Sequence, residues 1–110
     1  MTKINLNRKC EPCSSNTPAL KKTDIIAHLA EVAGWQWDEQ KKCIHKKYTF
    51  ENYYATMAFM NAVAWIAHSE NHHPDCAVSY QSCRITLKTH AIDGLSANDF
   101  ILAHKINCLE

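Results

Sequence analysis

The sequence predicts an α+β fold: a four-stranded antiparallel sheet with three helices packed on one face. Three observations carry that expectation. From Glu51 to about Asn71 the chain lacks glycine and proline and repeats apolar residues at helical spacing. From Ser82 to Thr89 it alternates instead, with Cys83, Ile85, Leu87 and Thr89 set against Arg84, Thr86 and Lys88. The segments run helix, strand, strand, long helix, strand, strand, helix, an order that sets helices against one antiparallel sheet.

Taken in order, residues 1–19 hold Pro12, Pro18 and a Ser14-Ser15-Asn16-Thr17 run, and read as a loosely ordered lead-in. A single domain is expected over residues 20–110. Thr23 is the expected N-cap of the first helix, whose apolar set is Ile25, Ile26, Leu29, Ala30, Val32 and Ala33. Gly34 is the expected glycine beyond its C-terminus. Trp35 to Trp37 and Cys43 to Phe50 read as strands around a polar turn at Asp38 to Lys42, with Ile44, Tyr48 and Phe50 on one parity. In the long helix Tyr53, Met57, Met60, Ala64 and Ala67 form the expected core stripe, widened by Phe59, Val63 and Ile66. Pro74 cannot continue that helix, so His72 and His73 fall at its exit. Cys76 to Gln81 and Ser82 to Thr89 read as two further strands, with His90 on the polar side where the second ends. After Gly94, Ser96 caps the last helix and Asp99 takes the capping-box position. Phe100, Ile101, Ala103, His104 and Ile106 supply that helix's apolar content.

Composition narrows the function. Of 110 residues 46% are apolar and 21% charged, ordinary for a folded domain with one modest core. Twelve Lys and Arg against eleven Asp and Glu leave a net charge of +1, so nothing calls for nucleic acid. Lys41-Lys42 and Lys46-Lys47 read as the solvated end of a hairpin. No apolar run approaches the roughly 20 residues that span a bilayer. The polar start, Met1 to Arg8, lacks the apolar region of a signal peptide, and a cytoplasmic protein is expected. The six cysteines should then be reduced. Cys10 and Cys13 form one CxxC pair, which supplies only two of the four ligands of a structural zinc site. They are expected to be incidental thiols of the lead-in. Cys43, Cys76 and Cys83 fall in strands as small core or half-buried residues.

The histidines carry the chemistry. His28, His45 and His104 fall inside elements and read as structural. His72-His73-Pro74 and His90 fall at element ends, where a scaffold presents functional groups. Imidazole titrates near neutrality and can serve as acid or base. His68 and His72, four apart, would share a helix face, and with His90 could also bind a metal. The segment His68-Ser69-Glu70-Asn71-His72 is not HExxH, however, and no carboxylate ligand is specified. Spacing alone leaves metal binding, acid–base chemistry and a purely structural role open.

The run from Asn71 to Phe100, NHHPDCAVSYQSCRITLKTHAIDGLSANDF, closely resembles the pterin-4a-carbinolamine dehydratases. The matching elements are His72-His73-Pro74, Tyr80, the ITLKTH strand ending at His90, and Gly94-Leu95-Ser96 with Asp99. The likeness extends upstream through the long helix and Gly34-Trp35, and to the cysteine-containing lead-in of bacterial members. The resemblance implies a dehydratase without metal or cofactor, acting on 4a-hydroxytetrahydrobiopterin or a related reduced pterin. Such a substrate forms when an aromatic amino acid hydroxylase oxidises its pterin cofactor. By the same resemblance His72, His73 and His90 are the catalytic histidines, with His73 the principal acid/base at the 4a-hydroxyl. Asn71, Lys88, Thr89 and Ala91 match substrate-contacting positions, and His68 a position that carries an acid in some relatives. Asp99 matches an acid of the family signature. A homodimer or homotetramer is expected, as in relatives. The alternatives are a non-catalytic dimerisation or binding module, as some animal relatives also are, and a metal-dependent enzyme built on the histidines.

Overall fold

Helix α2 (Tyr53–Glu70) is the longest element of the computed structural model, which describes residues 4–110. Around it lie α1 (Lys22–Leu29), β1 (Gln36–Asp38), β2 (Cys43–Thr49), β3 (Asp75–Val78), β4 (Ser82–Leu87) and α3 (Ala97–Asn107). A single 3₁₀ turn at His90–Ile92 joins β4 to α3. The strands form one antiparallel sheet in the order β1-β2-β4-β3, so the fold is α+β as its periodicities predict.

Register explains why only one face of the sheet is covered. Ile44 pairs with Leu87, Lys46 with Ile85 and Tyr48 with Cys83. Ile44, Tyr48, Cys83, Ile85 and Leu87 are buried on that face, against Ile25 of α1, Phe59 and Val63 of α2, and Phe100, Leu102, Ala103 and Ile106 of α3. Each large side chain fully buried here contributes about 1.5–3 kcal/mol. The alternate pairs, His45 with Thr86 and Lys47 with Arg84, face the other way. There the Arg84 guanidinium lies 3.2 Å from His45 Nδ1. Partial burial and that guanidinium both hold the His45 imidazole below its ordinary pKa.

Several local expectations give way. Helix α1 starts after Lys21, without a side-chain cap, and Thr23 lies inside it. It ends at Leu29, so Gly34 is not its C-terminal glycine. A turn intervenes, and Gly34 takes φ +82° just before β1, where a Cβ would sit 2.7 Å from Lys46 Cε. Ile26 faces solvent rather than the core. The buried stripe of α2 is Thr56, Phe59, Val63 and Ala67, while Tyr53 and Ala64 are exposed and Met57 and Met60 half-buried. Thr56 is buried with its hydroxyl 2.9 Å from the Asn52 carbonyl one turn back and 3.1 Å from the Tyr80 carbonyl, and the two carbonyls share its one proton. The third strand ends at Val78, and residues 79–81 form the hairpin turn, closed by Ser79 N–H on the Ser82 carbonyl. Cys43 and Cys83 are buried as expected, but Cys76, on the sheet edge, is exposed. Lys46 does not share the solvated hairpin end. It reaches α3, bonding Asn107 Oδ1 at 2.9 Å and Glu110 at 2.6 Å.

Two termini matter for the site. At the end of α2, Asn71 adopts a left-handed conformation (φ 51°). Its N–H reaches the His68 carbonyl at 3.2 Å, and the His72 N–H reaches that of Ala67 at 3.1 Å. This is a Schellman closure, and Pro74 follows shortly after. At the start of α3, Ser96 and Asp99 form the predicted capping box. Among the described residues no helix is long and apolar enough to cross a membrane.

Candidate active site

Four segments converge on a cleft of about 360 Å³. The end of α2 brings Glu70, Asn71, His72 and His73. The end of β4 and the 3₁₀ turn bring Lys88, Thr89, His90 and Ala91. Helix α3 contributes Asn98, and the lead-in contributes residues 10–13. Seven of the eight residues singled out from the sequence therefore line one cleft: Asn71, His72, His73, Lys88, Thr89, His90 and Ala91. His68 does not line it. The left-handed Asn71 turns His72 out of the helix, so His68 and His72 share no helix face. His68 stays exposed, its ring 5.8 Å from that of Trp65.

Behind His72 and Thr89, which line the cleft, Asp99 is completely buried. Its Oδ2 accepts the Ser96 backbone N–H at 3.0 Å and the Thr89 hydroxyl at 2.8 Å. Its Oδ1 lies 2.7 Å from His72 Nε2. A carboxylate only accepts, so the imidazole presents Nε2–H to it and keeps Nδ1 as its basic nitrogen. The hydroxyls are ordered as well. Thr89 spends its proton on Asp99, so Ser96 donates to Thr89 across 2.8 Å while accepting the Asn98 N–H. An unpaired carboxylate buried here would be costly, and three donors stabilise it.

His73 and His90 differ from His72. Both are exposed at the cleft, and their side chains make no hydrogen bond among the described residues. Lys88 is held by Asp93, which Lys42 also contacts at 3.3 Å. Those two ammonium groups hold the exposed Asp93 carboxyl below its usual range.

The opposite wall rests on Glu70. Its Oε1 accepts the Cys10 N–H at 2.7 Å, and Oε2 pairs with Lys105 at 3.1 Å. Burial pushes the Glu70 carboxyl upward, but these two donors outweigh it and the net shift is downward. Burial, reinforced by the Glu70 charge, pushes the Cys10 thiol up to about 12. Residues 10–13 were not foreseen as part of the site, because their anchors lie sixty and more positions away in the chain. The only sequence signal was the CxxC pair. Among the described residues no three His, Cys, Asp or Glu side chains converge as a metal-ligand set.

Comparison with known proteins now bears on the cleft. Residues 18–109 match the family model described as pterin 4 alpha carbinolamine dehydratase. The chain belongs to this family. A relative from Nitrosospira multiformis, provisionally named a pterin-4-alpha-carbinolamine dehydratase, is 48% identical over 93% of this chain and 88% of its own length. A Legionella pneumophila relative with the same provisional name is 44% identical over 99% of this chain and 97% of its own. Among solved structures, the transcriptional coactivator/pterin dehydratase of Brucella melitensis superposes with a TM-score of 0.80 at 26% identity. That match covers 84% of this chain and 98% of the other. A pterin dehydratase-like RuBisCO assembly factor of the α-carboxysome shares the fold, with a TM-score of 0.61 at 22% identity, over 69% of this chain and 88% of its own.

Proposed function

We propose that this chain eliminates water from 4a-hydroxytetrahydrobiopterin or a related 4a-hydroxytetrahydropterin by histidine acid–base catalysis. The observation that carries the reading is the buried Asp99 held against His72, in a cleft that His72, His73 and His90 line together. In this elimination a base takes the N5 proton, its electron pair forms the C4a–N5 double bond, and the C4a–O bond breaks. The departing hydroxyl takes a proton and leaves as water, giving the quinonoid dihydropterin. No electrons are exchanged, and one proton is moved from N5 to oxygen. Two groups that titrate near the working pH are enough, and imidazole suits both roles.

His73 is the principal acid/base at the 4a-hydroxyl, since its ring makes no hydrogen bond among the described residues and is open to a ligand. His72, its tautomer set by Asp99, and His90 orient the pterin and share proton transfer. Asn71, Lys88, Thr89 and Ala91 contact the substrate, partly through backbone groups. His68 lies outside the cleft and takes no part in this reading. The substrate class arises when an aromatic amino acid hydroxylase oxidises its pterin, so the chain serves pterin recycling in the cytoplasm.

The test is dehydration by purified chain in excess chelator, compared with His72→Ala, His73→Ala and His90→Ala. The His73 variant should lose most of the acceleration, since positioned acid–base groups are worth about 10²–10⁴-fold. Wild-type rates in all three variants would refute the assignment, and full chelator sensitivity would favour a metal-dependent enzyme. A binding module would leave the rate untouched and co-purify with a partner chain.

A further inference from the structure

The lead-in enters the cleft through a clamp made by one residue. Asn98 is buried, and its side chain brackets Glu11: Oδ1 accepts the Glu11 N–H at 2.9 Å and Nδ2 donates to the Glu11 carbonyl at 2.6 Å. That is the paired exchange of one rung of an antiparallel ladder, with a side-chain amide in place of a strand. Both thiols gather on the same residue. Cys10 Sγ lies 3.7 Å from the Asn98 carbonyl, and Cys13 Sγ 3.3 Å from Asn98 Nδ2. Upstream, Glu70 holds the Cys10 N–H, and Lys105 holds Glu70.

These bonds engage three backbone groups of the strap. The Cys10 N–H and both backbone groups of Glu11 are paired within the protein, so they are not offered to a ligand. All four strap residues line the cleft, and the Glu11 carboxylate is drawn off to Arg8 at 3.5 Å, so Pro12 and Cys13 supply the apolar part of this lining. A proline ring and a thiol form a small, stiff, apolar edge, suited to the flat face of a pteridine rather than to its hydrogen-bonding rim. The histidines lie on other segments, and none of them bonds the strap among the described contacts.

We infer that the strap Cys10–Cys13, clamped by Asn98, is a wall of the pterin site that sets how tightly the substrate is held without taking part in proton transfer. Asn98 is then a positioning residue for affinity. This inference rests on the proposed dehydratase reading for its substrate class.

The experiment pairs kinetics with thiol labelling on the full chain. Asn98→Asp keeps a residue favoured in the first turn of a helix, so α3 should form, but it sets a carboxylate against the Glu11 carbonyl. It should raise KM about tenfold, the loss expected of about one paired hydrogen bond, and leave kcat within about twofold. Asn98→Ala, which removes both bonds, should raise KM further. For the direct reading, 7,8-dihydrobiopterin is the probe and maleimide labelling is followed peptide by peptide. The pterin should slow labelling of Cys13 at least fivefold and leave Cys76 and Cys108, exposed elsewhere, unchanged. A fall in kcat at constant KM overturns the inference, as does an active enzyme whose Cys13 is not protected. Protection of Cys13 in a chain that fails to speed dehydration sustains the wall and refutes the dehydratase reading alone.

Discussion

Asp99 shows how one residue can serve fold and chemistry together. Its Oδ2 closes the capping box of α3, and its Oδ1 meets His72. Asparagine in its place keeps the shape but turns an amide N–H₂ toward one of three donors. Asp99→Asn should therefore lower unfolding free energy by about 1.5–3 kcal/mol, read by urea denaturation. It should also cut kcat roughly 10²-fold, because His72 loses its fixed tautomer. Unchanged stability would mean that the carboxylate is not the acceptor described. The cap role of Asp99 is legible from Ser96 three positions earlier, since a helix start is local. The contact with His72 spans 27 positions and no local pattern encodes it. The histidines themselves were legible because Pro74 and the parity of β4 place all three at element ends.

At the scale of elements, the alternation of β4 was readable residue by residue, because Cys83, Ile85, Leu87 and Thr89 are all buried. The stripe of α2 was not. Thr56 counts as polar in any hydropathy pattern, yet it is fully buried with its hydroxyl 3.1 Å from the Tyr80 carbonyl of the β3–β4 turn. The apolar spacing predicts a longer α1 because Val32 continues it, although Val32 reaches the core from a turn. Two turns make predictions. Gly34→Ala would place a methyl against Lys46, which Asn107 and Glu110 hold, in a left-handed conformation. It should destabilise the chain by about 1–2 kcal/mol, measured as a shift of the denaturation midpoint. Asn71 is left-handed too, so Asn71→Gly should preserve the α2 terminus, while Asn71→Val should cost about 1–2 kcal/mol. If Asn71→Gly folds normally but raises KM, the amide contacts substrate. If KM is unchanged, Asn71 serves the turn alone.

At the scale of the molecule, long-range anchors tie the lead-in to the domain, and one of them is the Glu70 carboxylate, which also pairs with Lys105. Glu70 has its folded pKa below the ordinary 4.5. Its stabilisation is fully present above that value and is lost as pH falls through the folded pKa. Glu70→Gln should therefore flatten the acid limb of the stability profile below about pH 4.5 and leave its neutral region sloping as before. An unaltered acid limb in thermal melts would contradict the Glu70–Lys105 pairing. The sheet leaves β3 as an edge on which all four residues are exposed. Such an edge invites pairing with a second copy, and we propose a homodimer or homotetramer in solution. Light scattering should return a multiple of one chain's mass.

The central claim is that His72, backed by the buried Asp99, dehydrates a hydroxylated pterin together with His73 and His90. Stopped-flow decay of 4a-hydroxytetrahydrobiopterin, with and without the purified chain, tests it most directly. The account predicts faster formation of quinonoid dihydropterin, in proportion to enzyme and unaffected by chelator. Decay at the spontaneous rate, whatever the protein concentration, would contradict it.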